Sequence, residues 1–330
     1  MQFDQLGRRK FIILLGGVAA WPVTARAQQP RMQTVGYLHP GAPEGVARDV
    51  AAFRRSLNEA GYIEGDSVGI EFRWAEGKFD RLPALAADLA RRNAAVIFAV
   101  SPEAVLAVRA ENKVVPVVFF MGEDPVKAGI VDSLNRPNGN VTGFSNLTSQ
   151  LIAKRLAQLC EVVPNAAVLG FLVNQTNPNS ARDTSDARTA ASALGRQLHV
   201  LTANTERDFE PAFNEIVQRR IGALCVGTDP FFVENRQQLI ALAERNAVPT
   251  IYDRREFTAS GGLMSYGTDR IEANRQCGIY VGRILKGVKP IDLPVQQSTK
   301  FEFVINLKTV KAMRLAIAER FLLTADEVIE

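Results

Sequence analysis

The chain has 330 residues, 47% of them hydrophobic and 22% charged, with 24 Gly and 16 Pro, a balance that excludes disordered, collagen-like and coiled-coil proteins. Its length favours two domains of roughly 150 residues over one core. Three cysteines (Cys160, Cys225, Cys277) and two histidines (His39, His199) offer no disulfide framework, no close-spaced zinc or redox pair and few parts for metal or histidine chemistry, so no cofactor and no metal is expected.

At the start of the chain, Arg8, Arg9 and Lys10 precede an apolar stretch from Phe11 to Ala20, then Trp21, Pro22 and the small-residue pattern Ala25-Arg26-Ala27. This is the order of a cleavable signal peptide over residues 1–27, and Arg8-Arg9-Lys10-Phe11-Ile12 suits the twin-arginine route as well as the general one. The apolar stretch is well below the roughly 18–20 residues that span a bilayer. The mature chain is therefore expected to be soluble and periplasmic. Removing residues 1–27, with Arg8, Arg9, Lys10 and Arg26 against Asp4, lowers the formal charge from +4 to +1. The basic bias belongs to the leader, and no nucleic-acid partner is expected.

Beyond the leader, short β-branched or apolar runs alternate with stretches of helical spacing. Strands are predicted at Thr34–His39, Val68–Trp74, Ala95–Val100, Pro116–Met121, Val168–Val173, Gln197–Leu201, Ala223–Gly227, Pro249–Tyr252, Gly262–Tyr266 and Phe301–Leu307. Helices are predicted between them, among them Val46–Ala60, Leu82–Arg92, Leu151–Val163, Asp183–Leu194, Phe209–Arg219 and Gln237–Asn246. Repeated strand-helix-strand units give an α/β protein with largely parallel sheets covered on both faces. The two halves share this layout. The polar, glycine-bearing stretch Asn138–Ser145 breaks the pattern and reads as a domain crossing and hinge.

In open parallel sheets ligands bind beyond the carboxyl ends of the strands, where helices begin. Four such junctions carry a short polar residue followed by proline: Ser101-Pro102, Asp124-Pro125, Asn177-Pro178 and Asp229-Pro230, with His39-Pro40-Gly41 after the first strand. Each dipeptide is also an ordinary helix start. Their recurrence in both halves suggests two rims facing across a cleft. Ser101 at a helix start suits a carboxylate, and Asp229 on the other rim suits an ammonium group. Tyr37, Phe120, Phe231, Tyr252 and Tyr266 lie near the same strand ends and suit an apolar side chain, or the core. The candidate ligand-binding residues are His39, Ser101, Pro102, Gly122, Asp124, Asn174, Asp229, Phe231, Tyr252 and Tyr266. No nucleophile elbow, phosphate loop or HExxH pattern occurs, and Glu123-Asp124 reads as a solvated or capping pair. A binding protein is expected, not an enzyme.

Gly122-Glu123-Asp124-Pro125-Val126, the run from Ser133-Leu134-Asn135-Arg136-Pro137 to Gly143, Gly261–Gly267, Lys300–Thr309 and the ending Ala325–Glu330 together resemble substrate-binding proteins of ABC importers, the family of tryptophan- and phenylalanine-type binding proteins. The likeness covers essentially the whole mature chain. It implies a type I periplasmic-binding fold: two doubly wound three-layer lobes joined by a hinge, with 31–143 plus 267–289 in the N-terminal lobe and 144–266 plus 290–330 in the C-terminal lobe. It also implies a monomer that closes on a small ligand and meets an ABC permease, with Ser101 holding the carboxylate and Asp229 the amine. Pro230-Phe231-Phe232 departs from the polar residue expected after that Asp, which admits an aromatic or aliphatic acid beside an amino acid. A ligand sensor using the same cleft, and more remotely a periplasmic enzyme on the same fold, are the alternatives.

Overall fold

The computed structural model describes residues 32–137 and 139–330; the leader over 1–27 lies outside them. The chain opens with β1 (Gln33–His39), α1 (Ala47–Glu59), β2 (Val68–Trp74), α2 (Leu82–Arg91), β3 (Val96–Val100), α3 (Pro102–Glu111), β4 (Val117–Met121) and β5 (Val141–Ser145). It continues with α4 (Ile152–Val162), β6 (Val168–Val173), α5 (Ser180–Ala193), β7 (Gln197–Thr202), α6 (Phe209–Gln218), β8 (Ala223–Val226), α7 (Pro230–Glu234), α8 (Arg236–Arg245), β9 (Thr250–Tyr252), α9 (Arg255–Ala259) and β10 (Met264–Thr268). The last elements are α10 (Arg270–Leu285), β11 (Gln296–Gln297), β12 (Phe301–Asn306), α11 (Leu307–Ala312), α12 (Glu319–Leu322) and β13 (Glu327–Ile329).

These strands make two sheets, ordered β11-β5-β4-β3-β1-β2 and β13-β12-β10-β9-β8-β6-β7, with β10 and β12 the antiparallel neighbours. The central strands explain the layering. In β3, Val96, Phe98 and Val100 enter a core beneath α1 and α10, while Ile97 and Ala99 enter another beneath α2 and α3. In β6 and β8, Leu169, Phe171, Ala223 and Cys225 face α4 and α5, while Leu172, Leu224 and Val226 face α6 and α8. Successive side chains point to opposite faces, so a strand apolar at every position needs a helical layer on each side. The fold is α/β, two three-layer units.

Helix α10 returns to the first sheet and packs on α1. Gly278 permits the approach: a Cβ there would collide with Ser56 Oγ and the Phe53 carbonyl. Arg270, at the start of α10, pairs with the buried Asp49 of α1 at 2.6 Å.

Two expectations are corrected. The stretch Asn138–Ser145 is not all break, because Val141–Ser145 is strand β5, paired with β4 and buried throughout. Its polar side chains escape a periodicity reading because backbone satisfies them: Thr142 Oγ1 donates to the Leu293 carbonyl at 2.6 Å and Ser145 Oγ to the Glu123 carbonyl at 2.7 Å. Residues from 290 onward do not all join the second sheet, since β11 pairs with β5 and the passage comes after Ser298.

The chain thus passes between the sheets after Ser145, after Thr268 and after Ser298. The three passages lie side by side. Thr268 Oγ1 donates to the Asn146 carbonyl at 2.9 Å, Asp269 N–H to the Lys300 carbonyl at 3.3 Å and Ser298 N–H to the Ser145 carbonyl at 3.0 Å. Among the described residues no helix is long and apolar enough to cross a membrane.

Candidate functional site

A cavity of about 840 Å³, its mouth included, opens where the carboxyl ends of β1, β3 and β4 face the second sheet. One wall carries His39 at the end of β1, Ser101 and Glu103 after β3, and Phe120, Met121, Gly122 and Glu123 at the end of β4. The other carries Asn177, Asn179 and Asp183 before and within α5, and Thr228, Pro230, Val233 and Glu234 around α7. Asn146, Thr148, Arg254 and Arg270, near the passages, complete the lining. The rims touch. Glu234 Oε1 accepts from the Ala42 N–H at 2.7 Å, Glu103 Oε1 accepts from Asn179 Nδ2 at 3.4 Å, and Arg182 pairs with Glu123 at 3.3 Å.

His39 is 4% exposed, and its Nδ1 accepts the Gly41 N–H at 2.9 Å. Burial, reinforced by Arg270 and Arg254, pushes its pKa down to about 3. The ring is therefore neutral, with its proton on Nε2. Ser101 caps α3, its Oγ accepting from the Ala104 N–H at 3.3 Å, and it does so at φ +90°, a region side chains rarely adopt. Such strain persists only where surrounding structure imposes it. Here the Ser101 N–H is tied to the Phe120 carbonyl at 2.9 Å and Pro102 is buried behind it.

The remaining candidates are dispersed. Asp124 caps a turn, accepting from the Val126 and Lys127 N–H groups at 2.9 and 3.3 Å. Asp229, 2% exposed, spends both oxygens: Oδ1 accepts from the Phe231 N–H at 2.8 Å and Oδ2 from Asn177 Nδ2 at 2.7 Å. Burial pushes its pKa up to about 6 against those bonds. It lines a small adjoining cavity with Asn174, whose Oδ1 is bonded to Thr176. Phe231 stacks on Phe209 at 5.2 Å, Tyr252 lies in the core on Phe257 at 4.3 Å, and Tyr266 sits in a separate groove beside Phe301. His39, Ser101 and Gly122 line the main cavity, Asn174 and Asp229 the adjoining one, and Pro102, Asp124, Phe231, Tyr252 and Tyr266 neither.

Sequence reading missed the charged lining. Glu123 is 7% exposed, and burial first, then Glu103 and Asp183, push its pKa up to about 7 while Arg182 opposes them. Its position two residues past a fully buried strand was the available signal. Asp183, in the first turn of α5, is raised chiefly by burial, with Arg182 and Arg155 opposing. On the passage side, Arg254 holds Asp253 through contacts of 3.1 to 3.3 Å, and Arg270 lies 4.8 Å over the Phe120 ring. The cavity thus offers fixed donors, fixed acceptors and an apolar strip of Val100, Phe120 and Met121, the usual make-up of a small-molecule site.

Comparison with known proteins accords with this architecture. The chain is 27% identical over 261 residues to a tyrosine-binding protein of Clostridioides difficile, spanning 79% of this chain and 75% of the relative. A conserved domain protein from Vibrio cholerae superposes with a TM-score of 0.82 at 23% identity, covering 90% of this chain and all of that one. An ABC domain in complex with L-Trp from Streptococcus pneumonia gives 0.79 at 22% identity, covering 91% and 100%. Residues 42–329 match the ABC transporter substrate binding protein family, and the chain belongs to that family.

Proposed function

We propose that the protein is the periplasmic solute-binding component of an ABC importer, taking up a small carboxylate-bearing solute, an amino acid or related acid, by hinge closure and delivering it to an inner-membrane permease. The observation that carries this reading is the cavity itself, walled by the strand ends of both sheets beside three adjacent passages and bridged by rim-to-rim bonds. A solute touching both walls favours the arrangement in which the rims meet. Moving from mostly open to mostly closed needs about 5.5 kcal/mol of differential contact.

The tyrosine- and L-Trp-binding relatives support an amino-acid-like ligand. Ser101 at the start of α3, the neutral His39 and Arg270 supply donors suited to a carboxylate. Glu234, on the opposite wall, suits the amino group. Asp229 then acts indirectly, holding Asn177 and the start of α7 behind that wall.

A thermal-shift screen of amino acids, their amides and matched acids tests this. A true ligand at 100 times its Kd adds about 2.7 kcal/mol of stability, and amidating its carboxylate is expected to abolish the shift. Equal shifts from acid and amide would remove the carboxylate assignment; no shift from any member would contradict capture.

A further inference from the structure

We infer that the solute carries a second cationic group, an amine or a guanidinium, received by the carboxylates at the β3–β4 end of the cavity. The inference rests on the capture reading above and names the class of solute it takes.

Glu103 follows β3, Glu123 follows β4 and Asp183 enters from α5, so three carboxylates share one end of the cavity. Arg182 stands among them, 3.3 Å from Glu123 and 3.5 Å from Asp183, with 44% of its side chain exposed. Arg155 acts on Asp183 and is shared with Asp253, so the half-solvated Arg182 is the cation that acts on Glu123, and one exposed guanidinium does not balance the acids at this end. Independently of that count, buried acceptors here lack donors: Oε2 of Glu103, Oε2 of Glu123 and Oδ1 of Asn146 make no hydrogen bond. Asn146 is 4% exposed and lines the cavity next to Gly122. A buried acceptor left unmade costs roughly 1–3 kcal/mol, so these atoms call for a donor-rich partner. An ammonium brings three donors and a guanidinium five.

A metal ion does not answer the geometry, since among the described residues no three His, Cys, Asp or Glu are placed to hold one. An organic cation is larger and bridges wider gaps. Nor is this the place of the amino group already assigned to Glu234. That residue meets Ala42 beyond β1, and β3 lies between β1 and β4, so the strand that bears Glu103 stands one strand spacing, and the strand that bears Glu123 about two, ~10 Å, from that contact. The apolar strip of Val100, Phe120 and Met121 suits the methylene chain joining the groups.

Calorimetric titration at pH 7.5 with the pairs L-arginine and L-citrulline, L-lysine and L-norleucine, together with L-tyrosine, tests the inference. The basic member of a pair is expected to bind at least about tenfold more tightly, the effect of one charge-assisted hydrogen bond. Glu123→Gln is expected to narrow that ratio toward unity, with Glu103→Gln as the second variant should the first not fold. Glu123 faces Glu103 from α3 and Arg182 and Asp183 from α5, so the ratio should also widen from pH 5.5 to 8 as Glu123 ionises. Neutral members or tyrosine binding as tightly as basic ones would overturn the inference while leaving capture intact, and so would a ratio unchanged in both variants. No heat from any of the five would count against both.

Discussion

Glu123→Gln is expected to make the protein, without added ligand, more stable at pH 8 by about 3 kcal/mol, the full cost of ionising this carboxyl in its folded setting. The unfolded carboxyl titrates near 4.5 and the folded one near 7, so between these values the folded chain holds a proton that the unfolded chain has released. Stability therefore falls as pH rises through that window, and above it the whole penalty is in force. Glutamine carries no such penalty, and its amide offers a donor toward Glu103 and Asp183. The gain should shrink to nothing near pH 4.5. Urea unfolding of both proteins at pH 4.5 and pH 8 measures it; a variant no more stable than wild type at pH 8, or a difference independent of pH, would contradict the assignment. A group that weakens the fold at working pH yet lines the cavity is what a trade of stability for binding leaves behind.

Asp253→Asn is expected to cost about 3 kcal/mol or more. Asp253 and Arg254 are 6% and 8% exposed and bonded to one another. Burial alone would raise the Asp253 carboxyl, but Arg254, Arg155 and Arg270 together hold it below the usual range. Arg155 is wholly buried, with Nε and Nη1 unbonded. Neutralising Asp253 leaves the buried Arg254 without the carboxylate it is bonded to and takes one counter-charge from Arg155, which keeps Asp183, while Arg270 keeps Asp49. The lowered pKa adds stability that is present above about pH 4 and lost as pH falls below it. The denaturation midpoint of the variant at pH 7 measures the effect; a loss under about 1 kcal/mol would show that water or rearrangement compensates Arg254.

What the sequence made legible was set by which signals are local. The strands Val96–Val100 and Val117–Met121 stand out because both their faces are buried, leaving no polar residue to blur them. Strand β5 does not, because Thr142, Gly143 and Ser145 look like loop residues until Leu293 and Glu123 supply their partners from distant segments. The proline-marked junctions divide in the same way. Ser101-Pro102 and Asp229-Pro230 do start helices, whereas Asp124 caps a turn and Asn177 precedes a helix that begins at Ser180. Adjacent acids have opposite fates: Glu123 turns inward and Asp124 caps outward, a choice made by packing against α5. Of the aromatic residues proposed for the cleft, Tyr252 ends β9 as predicted but lies in the core, whereas Tyr266 falls mid-strand because β10 runs on to Thr268, and it lines another groove.

The most direct test of capture between two moving walls is small-angle scattering of the protein with and without the solute that most raises its thermal stability. The radius of gyration is expected to fall on saturation, as the Ala42–Glu234, Glu103–Asn179 and Glu123–Arg182 contacts are drawn together. A radius unchanged by a saturating, tightly bound solute would contradict closure across this cavity.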